Sequence, residues 1–290
     1  MMDPTGLILL DKPAGITSFS AVNRVRRILN SKKAGHTGTL DPMATGVLVI
    51  LTNGAARFIE FLPTHRKAYR AGFQLGLATD TLDITGKVLS SQPVHVSREE
   101  ISRALEGFRG KIMQTPPMVS AIKQDGVRLY ALARQGMEVQ RAPREVELYS
   151  LELSEVGGEY VLDAACSAGT YIRTLIDDLG RALGVGGAVM TSLRRTEANG
   201  YSIEQCATLE QFERGEVRII PMEDALAIYP LAHITAPQAT RFRNGGALDL
   251  QRLQIKNPTE GELYRVRCED DFLGLGRVRG EQLAIARLLT

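Results

Sequence analysis

Asp41 is the single carboxylate in a run of small and turn-forming residues, Gly35-His36-Thr37-Gly38-Thr39-Leu40-Asp41-Pro42-Met43-Ala44-Thr45-Gly46. Glycine reaches backbone conformations closed to other residues. Pro42 biases Asp41 towards an extended conformation. The apolar run Val47-Leu48-Val49-Ile50-Leu51 follows at once and reads as a buried strand. A lone carboxylate on a stiff loop at the mouth of a core strand has the layout of an active site, although Asp-Pro and Gly also make ordinary surface turns. Two chemistries are excluded by the neighbours. A phosphate-cradling loop needs Gly-Lys-Ser/Thr, and no Lys follows Gly46. An aspartyl-phosphate site of the ion-pump type places Asp-Lys before Thr-Gly-Thr, where this chain has Gly35-His36.

Other side chains admit both chemical and structural readings. Thr79-Asp80-Thr81-Leu82-Asp83-Ile84-Thr85-Gly86 holds two carboxylates, as a metal site or a glycosidase pair would. It lacks the further acidic ligands of a calcium loop and reads as a structural loop. Arg173 falls off the apolar stripe of its helix, either solvated and paired with Asp177 one turn on or aimed at Asp41. Tyr69 by itself reads as a half-buried packing residue of a strand. Leu193 reads as core, and His36 as a structural hydrogen-bonder. Cys166, Cys206 and Cys268 lie far apart without a CxxC pair, so neither a disulfide framework nor a zinc site is expected.

These residues need elements to hold them. Gly6–Leu10 reads as a first strand, ending in the turn Asp11-Lys12-Pro13-Ala14-Gly15. A helix begins at Thr17 or Ser18, with Phe19, Val22, Val25 and Leu29 as its apolar stripe. A short helix spans Ala55–Leu62, and Lys67–Leu75 is a strand with positions 69, 71, 73 and 75 on one face. Ser97 and Glu100 form a capping box for a helix reaching Gly107, and another helix is expected over 128–135. Strands over 145–156 and 160–166 follow. A helix then buries Ile172, Leu175, Ile176 and Leu179, and a strand-like run covers 189–192. Beyond Leu231 come a brief helix, 238–246, and three short strand-like runs divided by turns.

Gly-His-Thr-Gly-Thr-Leu-Asp-Pro-Met-Ala-Thr-Gly resembles the catalytic motif of the TruB family of RNA pseudouridine synthases. Lys12-Pro13-x-Gly15, Lys67-x-Tyr69, Thr79 to Gly86, Pro116-Pro117-Met118-x-Ser120, Gly169-Thr170-Tyr171-Ile172-Arg173-Thr174-Leu175 and Leu193-Arg194-Arg195-Thr196 resemble further elements of that family. Val119 departs from it, since the family often has Tyr there. The resemblance implies catalytic roles for Asp41, Arg173 and Tyr69, with Arg173 paired to Asp41 and the Tyr69 ring set against the target base. His36, Lys12, Tyr171 and Leu193 become substrate contacts, Leu193 lining the uracil pocket. The implied fold is α+β, a mixed and mainly antiparallel sheet over 1–229 followed by a small β-rich PUA-like domain over 230–290. The implied reaction converts uridine 55 in the T loop of tRNA to pseudouridine without cofactor or metal, by a monomer with no obligatory protein partner. Two alternatives are a guide-RNA-dependent synthase subunit and a non-catalytic tRNA-folding chaperone.

With 290 residues, 44% of them apolar and 23% charged, the chain can bury a normal core. A net charge of +2 does not announce a nucleic-acid binder. Lys and Arg outnumber Asp and Glu before Leu40 and again between Arg103 and Arg144, as a polyphosphate partner or a merely solvated face would have it. The residues before Asp11 lack the basic start of a signal peptide, and no apolar stretch reaches the ~18 residues of a membrane helix. A cytoplasmic protein without membrane contact is the expectation.

Overall fold

The computed structural model describes residues 5–289 except 121–122, 125, 130–131, 133–134 and 138. Strand β1 (Leu7–Lys12) runs antiparallel to β3 (Thr45–Thr52), and the short β2 (Ala34–His36) flanks β3 on its other edge. Helix α1 (Ser18–Ile28) lies between β1 and β2 in sequence, and a 3-10 helix (Asn53–Phe61) follows β3. Then come β4 (Lys67–Leu75), a hairpin of β5 (Leu77–Thr79) and β6 (Val88–Ser91), and α2 (Arg98–Glu106). After β7 (Gly110–Gln114) a small hairpin pairs β8 (Lys123–Gln124) with β9 (Val127–Arg128). The long hairpin β10 (Arg144–Val156) and β11 (Glu159–Cys166) leads to α3 (Ile172–Ala182), β12 (Ala188–Ala198) and β13 (Tyr201–Ser202). Among the described residues one nine-stranded sheet has the order β1-β3-β12-β4-β11-β10-β7, with β2 and β13 at its margins. Its pairs are antiparallel except β12 with β3. The fold is thus α+β on a mixed, mainly antiparallel sheet.

Strand β4 realises the expected alternation. Tyr69, Ala71, Phe73 and Leu75 face one core with α3, which contributes Ile172, Leu175, Ile176 and Leu179. The helix expected at Ser97 is present with both halves of its capping box. The short helix after β3 is 3-10 rather than α, and stops before Pro63. Phe19 departs from expectation at 73% exposure. Ser18, Ala21, Val22 and Val25 form the inward stripe of α1, because Ser18 turns in to bind the Asp41 loop and rotates Phe19 out to solvent. Of the helix expected over 128–135, residues 130–131 and 133–134 lie outside the described residues, and Arg128 belongs to β9 instead.

The C-terminal region holds α4 (Leu209–Glu213), α5 (Met222–Ala225), β14 (Leu231–His233), α6 (Ala236–Arg243), β15 (Leu248–Asp249), β16 (Leu263–Cys268), β17 (Asp271–Arg279) and β18 (Gln282–Leu288). Five of these strands form a second sheet, ordered β14-β16-β17-β18-β15, over their own apolar core around Phe242, Tyr264 and Val266. No helix among the described residues is long and apolar enough to cross a membrane.

Candidate active site

The Asp41 loop is held at nearly every residue. Ser18 Oγ donates to the Leu40 carbonyl at 2.9 Å and accepts from the Leu40 amide at 2.8 Å. The Ala44 amide closes a turn onto the Asp41 carbonyl, and the Pro42 carbonyl accepts from the Gly15 amide. Arg195 is fully buried and reaches three carbonyls of the same segment, those of Val47 at 2.7 Å, Gly38 at 3.1 Å and Thr39 at 3.5 Å. Gly46 has φ +101°, and a Cβ there would stand 2.1 Å from the Arg195 carbonyl. Glycine at this place lets β3 and β12 meet in parallel, Gly46 opposite Arg195.

Arg173 is 3% exposed and donates from Nε to Asp41 Oδ2 at 3.0 Å, so the two motifs meet as expected. The alternative partner, Asp177, instead accepts from Arg181. Arg173 also donates from Nη1 to the Thr81 carbonyl at 2.8 Å and from Nη2 to the Val119 carbonyl at 2.9 Å. Asp83 shapes the first of these acceptors, with Oδ1 accepting from Thr81 Oγ1 and from the amide and hydroxyl of Thr85. The loop over 79–86 is therefore structural and supports the site. Asp83 Oδ2 lies 3.8 Å from Arg173 Nη1.

Asp41 keeps 34% of its side chain accessible, towards a cleft of about 310 Å³. Burial pushes its carboxyl above the usual range, and Arg173 opposes that shift. The Asp83 charge adds to it, and the Lys12 ammonium works with Arg173. Tyr69, Leu193, Ile172 and Tyr171 supply the apolar lining, and Lys67, Arg144 and Ser120 the polar one. Burial also raises Tyr69, so its hydroxyl stays protonated beside Arg195. Tyr171 precedes α3, its backbone clamped by buried Gln114, which accepts from the Tyr171 amide and donates to its carbonyl.

Two expected substrate contacts are placed elsewhere. Lys12 is fully buried, and its ammonium donates to the carbonyls of Pro13 at 2.8 Å, Ile16 at 2.8 Å and Pro42 at 3.3 Å. An ammonium has three donors, and all are filled, so Lys12 holds the loop rather than the substrate. Burial lowers it to about 8, against the opposing pull of Asp41. His36 stands on β2 opposite Ile50, outside the lining of the cleft. The sequence shows Lys67, Ser120 and Arg195 inside motifs but points to no role for them, and it does not single out Arg144 or Gln114. Alternation was the available signal for two of them: Arg195 shares a face with Leu193, and Lys67 shares one with Tyr69.

Comparison with known proteins agrees with this geometry. Residues 26–172 match the model described as TruB family pseudouridylate synthase (N terminal domain). Residues 173–227 match the tRNA pseudouridylate synthase B C-terminal domain, and residues 230–289 match Pseudouridine synthase II TruB, C-terminal. The tRNA pseudouridine synthase B of Stutzerimonas stutzeri is 42% identical over 301 residues, spanning 99% of this chain and 96% of the relative. That of Clostridium tetani is 42% identical over 288 residues, spanning 98% and 99%. Among solved structures, a chain of a Cbf5-Nop10-Gar1 complex superposes with a TM-score of 0.71 at 27% identity, over 99% of this chain and 85% of its own. With the motifs, the cleft and the full length all in agreement, the chain belongs to the TruB family of pseudouridylate synthases, isomerases that convert uridine to pseudouridine in RNA.

Proposed function

We infer that this enzyme isomerises uridine 55 in the T loop of tRNA, with Asp41 as the reacting group. The observation that carries the assignment of Asp41 is its pairing with Arg173 at the cleft. The tRNA assignment is supported by relatives of matching length that are named for that substrate. Their near-complete overlap favours a stand-alone enzyme over a guide-RNA-dependent subunit. A monomer acting in the cytoplasm without a protein partner accords with that reading.

The reaction breaks the bond from uracil N1 to ribose C1′, turns the base, and joins C5 to C1′. The C5 proton leaves and N1 gains one, so the product is an isomer and nothing else is consumed. Asp41 can add to C1′, add to the base, or abstract a ribose proton, and each route requires it ionised. Arg173 holds it in that state and fixes its direction. The base must leave its stack to reach Asp41, and the ring of Tyr69 with the Leu193 and Ile172 side chains offers it an apolar seat. Tyr69, being protonated, serves there as ring and O–H donor rather than as a base. Tyr171, also in the lining, is a further contact. Incubation with an unmodified tRNA transcript and mass-spectrometric mapping should find pseudouridine in the T loop. Product elsewhere but not there would reassign the substrate. Asp41→Asn should abolish product while RNA affinity stays within a few-fold, because phosphate contacts carry most of the affinity. Substantial turnover by that variant would remove Asp41 from the chemistry.

A further inference from the structure

The cleft is lined by two sets of charged side chains. One is the Asp41–Arg173 pair, with buried Asp83 near Arg173. The other is Lys67 from the start of β4 and Arg144 from the start of β10, with buried Arg195 on β12 close by. The Lys67 ammonium makes no hydrogen bond or ion pair with any described residue. The Arg144 Nε–H is buried and likewise meets no acceptor among them. Arg144 itself is fixed, with Nη2 on the Gly169 carbonyl and the guanidinium 5.0 Å from the centre of the Tyr171 ring. The cations acting on Lys67 are Arg195 on β12 and Arg144 on β10, with the Cys166 thiol of β11 nearby and no carboxylate among the groups that act on it. Gathering cations in a partly dry cleft with donors unfilled is unfavourable unless an anion completes them.

We propose that Lys67 and Arg144 form a phosphodiester seat, which grips a phosphate adjoining the extruded nucleotide and sets the polarity with which that nucleotide enters the cleft. The inference rests on the reading of RNA as substrate. A phosphate is the part of an RNA strand that brings full negative charge and several acceptors, matching the unfilled Lys67 ammonium and the Arg144 charge beside it. A base edge would use the donors but leave the clustered positive charge unopposed. With the phosphate held by Lys67 and Arg144, the base is left to Tyr69 and Leu193 and the sugar carbon to Asp41, which line the same cleft. Lys67 and Arg144 are then positioning residues, acting on the chemistry through the placement of the nucleotide. Burial, followed by the Arg195 charge, lowers the Lys67 ammonium to about 8, and a bound phosphate must push it back up.

The test uses the full-length enzyme with an unmodified T-arm stem-loop, titrated at several salt concentrations and pH values. Lys67→Met should reduce affinity roughly tenfold at low salt. It should also make the slope of log affinity against log salt shallower by about 0.7 to 0.9. Wild-type affinity should fall as pH rises above about 8, and the fall should vanish in Lys67→Arg, whose charge does not titrate. In the wild-type enzyme, neutral methylphosphonate linkages placed in turn 5′ and 3′ of the target uridine identify the phosphate held. One of them should weaken binding to wild type and cause no further loss in Lys67→Met. A stem-loop that is isomerised normally while neither linkage alters binding would overturn the seat. So would a Lys67→Met enzyme of wild-type thermal stability and unchanged salt slope, or one whose defect is confined to discrimination between uridine and cytidine. A stem-loop neither bound nor isomerised would count against the RNA reading itself.

Discussion

Arg173 divides its guanidinium among three partners instead of setting both prongs on one carboxylate. Only Nε faces Asp41, while the two terminal nitrogens hold the carbonyls of Thr81 and Val119. The side chain is at once the counter-ion and the pin joining two loops to α3. Arg173→Lys keeps the charge but cannot reach all three acceptors, so turnover should fall by about 10²-fold, the scale of an ångström-sized misplacement. RNA affinity should change little. The pH dependence follows from the same contacts. Only ionised Asp41 is active, and burial raises its pKa, so the acid limb of kcat should lie above the ordinary carboxylate range. Removing the opposing cation with Arg173→Ala must move that limb further up. Asp83→Asn removes the charge that adds to the rise, while an amide oxygen can still accept from Thr81 and Thr85. Its limb should move down. Limbs that shift in the same direction in both variants would mean that charge at these positions does not control Asp41.

At the scale of elements, the site depends on β12 passing between β3 and β4, parallel to one and antiparallel to the other. Gly46 permits the parallel contact. Gly46→Ala combines a backbone strain of about 1–3 kcal/mol with a Cβ driven onto the Arg195 backbone, and turnover should fall as the loop shifts. Gly15 also has positive φ, +84°, but open space around its would-be Cβ. Gly15→Ala should therefore cost only the strain, about 1–2 kcal/mol. Equal losses in urea denaturation would show that the β3–β12 contact yields easily. The same strand crossing explains which parts of the site could be read from sequence. Asp41 and Arg173 stand in local motifs, and the strands and caps around them follow from alternation and capping chemistry. Arg195 was not legible as a buried clamp, because an arginine in a strand is ordinarily solvated and its three acceptors lie some 150 positions away, 148 to 157 by count. Gln114 was hidden in the same way, its partner Tyr171 being supplied by a distant turn. Lys12 carries the opposite lesson. Its motif is visible, yet only the fold shows that its three donors are already filled.

At the scale of the whole molecule, the C-terminal sheet is joined to the larger one through apolar packing. Phe58 and Phe61 of the 3-10 helix share a core with Leu7, Val49, Leu226 and Leu275, and Leu263 and Phe272 pack against it. The Phe58 and Phe272 rings are 6.3 Å apart, and Tyr229 donates its hydroxyl proton to the Phe61 carbonyl at 2.9 Å. Arg287 pairs with Glu60 across this seam at 2.6 Å, and the pair is solvent-exposed. Such pairs contribute about 0–1 kcal/mol, whereas truncating a fully buried Phe costs about 3–5 kcal/mol. We therefore expect Glu60→Ala to leave thermal stability almost unchanged and Phe58→Ala to lower it severely. A chain ending at Tyr229 would expose the Phe58 and Phe61 face, so it should aggregate or melt well below the full-length protein. Because the seam is a core and not a polar interface, calorimetry of the full-length enzyme should record one cooperative transition. Phe58→Ala should shift that transition as a unit. Two resolved transitions, with only the earlier one moved by Phe58→Ala, would mean that the C-terminal sheet folds independently and that the shared apolar core does not couple the two halves.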